Sequence, residues 1–105
     1  MEDLRLHRAE SFLARLLGLH RFGCLSWHTG LYIAPCRAIH TFGLRYAIDV
    51  VFLDGNDSVI RKVDALAPGR WAVCAAAVSV VELPAGYCAF YPDYENGIRQ
   101  ALYKA

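Results

Sequence analysis

The sequence predicts a mainly β domain, a compact sandwich- or barrel-like fold of about five or six strands with a short N-terminal helix and a C-terminal helix. Three observations carry this. Tyr46–Leu53 alternates Ile48, Val50 and Phe52 on one side with Asp49, Val51 and Leu53 on the other, the period of a strand with apolar residues on both faces. The turn residues Asp54-Gly55-Asn56-Asp57 follow at once, and Ser58–Val63 returns as a wetter hairpin partner carrying Arg61 and Lys62. Finally, helical spacing of apolar residues is confined to the two ends of the chain.

At the N-terminal end, Phe12, Leu13, Leu16 and Leu17 gather on one side of a helix over Ala9–Leu17, and Gly18 suits its left-handed cap. His20–Thr29 has little periodicity and reads as a loop. Gly30–Ala34 is a short strand, stopped by Pro35, which cannot donate to a ladder. Pro68-Gly69 is a second turn, and Ala75–Leu83 a strand ended by Pro84-Ala85-Gly86. Pro92-Asp93 then opens a helix with Tyr94, Ile98, Ala101 and Leu102 on one side and Gly97 as its weak point. The 105 residues make a single domain, 1–105, large enough for one core without staples.

Composition narrows the function classes. A hydrophobic fraction of 56% against 20% charged residues suits a packed core with apolar surface to spare for a partner. A net charge of +1 gives no strong electrostatic draw toward nucleic acid or anionic lipid, so neither nucleic-acid binding nor membrane insertion is expected. The longest uncharged run, Trp71–Val81, is too short for the roughly 20 residues a spanning helix takes. The opening MEDLRLHRAE is charged from its second residue, unlike a secretory signal, so the expected location is cytoplasmic. The four cysteines, Cys24, Cys36, Cys74 and Cys88, are then expected as thiols.

Residues with chemistry concentrate between Gly30 and Asp54. Asp49 stands out first, because an ionised carboxylate inside a buried strand costs several kcal/mol unless it is paired or hydrogen-bonded. Arg37, Arg45 or main-chain donors of the 40–44 turn are the expected partners, and an acid pinning the connector to the strand is the plainer reading. His40 and Thr41 lie in the connector, where side chains can face a ligand. Glu82, late in a strand, could form an acid/base pair with Asp49 if the two faced one cleft.

Arg37, His40, Thr41, Arg45, Asp49 and Glu82 are therefore the candidate ligand-binding set of a non-catalytic accessory or binding module. Two alternatives compete. One is a small hydrolase- or transferase-like enzyme using His40, Asp49 and Glu82, with Cys36 as an optional nucleophile. The other is a metal-binding module through Cys24, His28, Cys36 and His40, whose Cys-x3-His pairs only approach the usual zinc spacing. No cofactor is expected. A tail with Tyr87, Tyr91, Tyr94 and Tyr103 suggests an aromatic surface for a protein partner or a homodimer, and a small ligand is compatible with the connector.

The run PCRAIHTFGLRYAIDVVFLD, followed by a turn, a strand and VVELPAG, resembles the uncharacterised family known as domain of unknown function 192. Arg15, Gly18 and Leu19 fit the family's first block, Gly30 and Leu31 its second, and Val80–Gly86 its last, so the resemblance covers about residues 10–86. Leu44 stands where the family usually has methionine, and residues 87–105 form a divergent tail. The resemblance implies a mainly β domain with a small helix and no assigned reaction.

Overall fold

The computed structural model describes residues 3–9 and 27–104, and the helix expected over Ala9–Leu17 falls almost wholly outside them. Seven strands run β1 (Arg5–Ala9), β2 (Thr29–Ile33), β3 (Ala38–His40), β4 (Ile48–Leu53), β5 (Val59–Leu66), β6 (Trp71–Val73) and β7 (Ser79–Pro84). Two helices follow, α1 (Tyr87–Phe90) and α2 (Tyr94–Lys104). Five strands form one sheet in the order β1-β2-β7-β4-β5, and β3 and β6 pair antiparallel in a second, two-stranded sheet. The fold is mainly β, and the large sheet stays open rather than closing into a barrel.

The period of two in β4 and β7 divides the core. Leu31, Ile33, Ile48, Val50, Phe52 and Val80 meet Ile39 and Ala72 of the small sheet on one face. Tyr32, Val51, Leu53, Val81 and Leu83 meet Tyr87, Cys88, Ile98 and Ala101 of the helices on the other. Every residue of β4 is buried, as an interior strand with apolar residues on both faces should be. The molecule is thus three layers: small sheet, large sheet, helices.

Three elements differ from the sequence expectation. The charged start forms β1, a parallel edge strand beside β2, because Leu6 reaches inward between exposed neighbours. The strand expected over Ala75–Leu83 begins only at Ser79, since Ala75 and Ala76 make a turn in which the Ala77 N–H donates to the Cys74 carbonyl at 3.0 Å. Between the second turn and that one lies β6, unforeseen at three residues long. The β4–β5 hairpin is as expected. Its turn is fastened by Asp54, whose Oδ1 accepts from the Asn56 and Ser58 N–H groups at 2.9 and 3.0 Å.

Gly30 marks the tightest approach among the layers. A Cβ there would lie 2.7 Å from a Leu83 methyl, 2.8 Å from a Leu6 methyl and 3.0 Å from the Glu82 carbonyl oxygen. The two methyls can swing aside, but the carbonyl belongs to the ladder between β2 and β7. Gly30→Ala is accordingly expected to destabilise the fold by about 1–3 kcal/mol. Denaturant unfolding checks this, and an alanine variant as stable as the parent would contradict it.

Candidate functional site

The six residues singled out in the sequence do not form one site. By strand alternation Asp49 and its neighbour Leu83 face the helices, whereas Glu82 and its neighbours Leu31 and Val50 face the small sheet. His40 stands on the outer side of the small sheet, because Ile39 beside it points into the core. The two acids therefore face opposite sides of the large sheet, and the histidine lies on the outer side of the small one. The constellation needed for an acid/base enzyme through His40, Asp49 and Glu82 does not assemble.

Asp49 is completely buried and its carboxylate is saturated by main chain. Oδ1 accepts the Ala65 N–H at 2.8 Å and the Gly86 N–H at 3.1 Å, while Oδ2 accepts the Cys88 N–H at 2.9 Å. The donors are backbone groups, as one of the expected alternatives allowed, but they come from distant segments rather than from the 40–44 turn. A bulge in β5 supplies the first: two residues, Asp64 and Ala65, oppose Asp49 alone, and Ala65 adopts φ 48°. Gly86, at φ 88°, and the start of α1 supply the others.

The same carboxylate controls the adjoining thiol. Burial, then the negative charge and hydrogen bond of Asp49, push Cys88 up to about 12, so it stays a thiol. Asp49, Asp64 and Cys88 bring ligand-type atoms within 4.8 Å of one another. However, Asp49 is committed to three N–H donors, and Asp64 pairs with Lys62 at 3.2 Å. This is a structural junction rather than a metal set.

The metal-binding alternative does not come together either. Cys24 lies outside the described residues; His28 packs against Tyr87 and Tyr91 on the helix side, and His40 lies on the opposite side of the molecule. The Cys36 thiol donates to the Ala38 carbonyl at 3.2 Å. Cys74 and Cys88 are free thiols.

Thr41, a candidate ligand contact, is instead a buried clamp. Its hydroxyl donates to the Ala67 carbonyl at 2.6 Å and accepts the Arg70 N–H at 2.9 Å. Main-chain bonds from Thr41 N–H to the Arg70 carbonyl and from Gly69 N–H to the Thr41 carbonyl complete the junction. The connector is thereby locked to the second turn, which fixes the end of the β3–β6 pair. Arg61 donates to the Val73 carbonyl and holds the outer strand to β5.

What this frame presents outward is an aromatic face. His40 lies 5.3 Å from Phe42 and 5.2 Å from Trp71, ring centre to ring centre, and Phe42 meets Trp71 edge-on at 5.8 Å. The Phe42 N–H donates to His40 Nδ1 at 3.3 Å, which leaves Nε2 as the donor of the neutral ring. Trp71 is 61% exposed, Phe42 47% and Val73 53%. Arg37, Arg45 and Arg70 are exposed on the flanking residues, and no acid occurs from Thr29 to Ile48 or from Ala65 to Val81. Trp71 is not among the candidates read from the sequence. Its signal, a tryptophan directly after Pro-Gly-Arg, means little until β6 is known to pair with β3.

The tail tyrosines differ in exposure. Tyr87 is buried, Tyr91 and Tyr94 are half-buried, and Tyr103 alone of the four is fully exposed. No helix among the described residues is long and apolar enough to cross a membrane.

The family model of domain of unknown function 192, described as an uncharacterized ACR, matches residues 1–92. The chain belongs to this family. The match is longer than the 10–86 legible in the motifs and adds β1 and α1. Among solved structures, a protein of unknown function from Novosphingobium aromaticivorans DSM 12444 is similar at a TM-score of 0.74 and 17% identity. The similarity covers 83% of this chain and 67% of that one. A "putative transcription regulator" from Sinorhizobium meliloti 1021 is similar at a TM-score of 0.77 and 15% identity, over 87% and 76% of the respective chains. At these identities the likeness is one of fold. No curated protein matches.

Glu82 gives this family member a pH-dependent stability. Burial raises its carboxyl from the ordinary 4.5 to about 7. The folded state thus keeps a proton that the unfolded chain releases, so the contribution of Glu82 to stability is greatest below pH 4.5, falls between 4.5 and 7, and is level above. An ionised Glu82 costs about 3 kcal/mol at pH 8. Glu82→Gln is expected to flatten this slope and to gain most over the parent at alkaline pH. Melting curves from pH 4.5 to 8 check it; parallel curves for the two proteins would contradict it.

Proposed function

We propose that this domain is a non-catalytic binding module whose partner docks on the outer face of the β3–β6 sheet, through Trp71, Phe42 and His40. The observation that carries the reading is the exposure of three mutually packed rings on a strand pair that Thr41 and Arg61 hold in place. Large apolar groups left in water are costly and are retained where something covers them. The partner we infer is an acidic, aromatic-containing segment of another protein. Arginines surround the patch with no acid among them, and a protein edge offers apolar groups for Trp71 to bury.

The connector proposed from sequence thus keeps Arg37, His40 and Arg45 as binding residues and gains Phe42, Arg70 and Trp71. Thr41 serves it from behind by fixing the frame, while Asp49 and Glu82 stand apart from it. A cytoplasmic setting fits the free thiols Cys74 and Cys88.

Calorimetric titration with a glutamate- and phenylalanine-rich peptide tests the reading. Binding is expected to weaken as salt is raised and to drop about tenfold in Trp71→Ala, with the melting temperature little changed. A lysine-for-glutamate peptide that binds equally well, or a single-stranded oligonucleotide that binds more tightly, would overturn it.

A further inference from the structure

On the far side of the large sheet, α2 and the turn before it enclose a cavity of about 190 Å³. Its walls include Tyr87, Tyr91, Tyr94 and His28, and its lining also includes Asp3 and Asp93, with no lysine or arginine among the described residues. We propose that this cavity is a binding site for a small organic ammonium ion, seated against the tyrosine rings with Asp93 at its rim.

The chemistry of the walls selects a cation. The rings of Tyr87 and Tyr91 lie 4.7 Å apart at 45°, and His28 stands 6.1 and 5.6 Å from them, so several ring faces and edges border one space. Aromatic faces attract ammonium groups through the ring quadrupole, most strongly where water is excluded. Asp93 supplies a carboxylate of opposite charge at the head of α2, where its carbonyl accepts the Gly97 N–H at 3.2 Å. Among the described residues an anion would meet the Asp93 carboxylate with no lysine or arginine to offset it, and a neutral apolar guest would gain nothing from that charge.

A further observation fits. Among the described residues the buried Nδ1 atom of His28 has no hydrogen-bond partner, while Nε2 lies 3.5 Å from the Tyr91 hydroxyl. A hydroxyl or amide carried by the guest would satisfy that nitrogen. The site shares no residue with the aromatic face of the small sheet, so either can fail without the other.

Choline and its neutral isostere 3,3-dimethylbutan-1-ol are the probes, titrated into the full chain and followed by calorimetry and amide chemical shifts. Choline is expected to bind saturably, to shift the amides of residues 91–97, and to bind about tenfold more tightly than the alcohol. Asp93→Asn keeps a residue that caps helices equally well, so its melting temperature should stay put while choline binding falls by about tenfold. Equal binding of the two probes, no saturable choline binding at millimolar concentration, or choline binding unchanged in the Asp93→Asn variant would each overturn the proposal.

Discussion

Everything on the helix side of this domain depends on how one carboxylate is satisfied. Asp49 sits in the middle of a strand whose every residue is buried, and three main-chain N–H groups converge on it. Each comes from a segment that would otherwise end in an orphaned donor: the bulge of β5 at Ala65, the Gly86 turn, and the first turn of α1 at Cys88. A buried charge without partners would be prohibitive, and three buried donors without an acceptor would cost about as much again. The two problems cancel. The acid therefore ties β4, β5 and α1 through three hydrogen bonds, and its charge adds to the burial that keeps the Cys88 thiol protonated.

The other face of the sheet is organised by a neutral counterpart. Thr41 performs there, with a hydroxyl, what Asp49 does with a carboxylate: it joins a connector to a turn nearly thirty residues on. Because both polar groups are spent on backbone, the small sheet is a stiff platform, and its outward residues are free to be apolar. Trp71, Phe42 and His40 occupy that platform. A binding surface on a rigid frame loses little entropy when a partner covers it, which is the physical advantage of mounting rings on paired strands instead of a loose loop.

How much of this could be read beforehand follows from the range of each signal. β4 and its hairpin were legible because alternation and turn chemistry act within a few residues, and α2 because Ile98 and Ala101 recur at helical spacing. Asp49 was legible as a residue needing partners, since burying a charge has a known cost. Its partners were not, because Ala65, Gly86 and Cys88 lie 16, 37 and 39 residues away. β3 and β6, three residues each, are too short to show a period, so neither their pairing nor the meeting of His40 with Trp71 could be seen. Placing Glu82 and Asp49 in one cleft failed for a simpler reason. They belong to adjacent strands, but the β4–β7 register sets them on opposite faces.

The central claim is that Asp49 holds three segments together as one unit. Native-state hydrogen exchange of the Ala65, Gly86 and Cys88 amides tests it most directly, comparing the parent with Asp49→Asn. The account predicts that in the parent all three exchange as slowly as the core amides of β4, and that in the variant all three speed up together while the amides of the β3–β6 pair slow or speed only with global stability. Fast, independent exchange of these amides in the parent, or unchanged protection in Asp49→Asn, would contradict it.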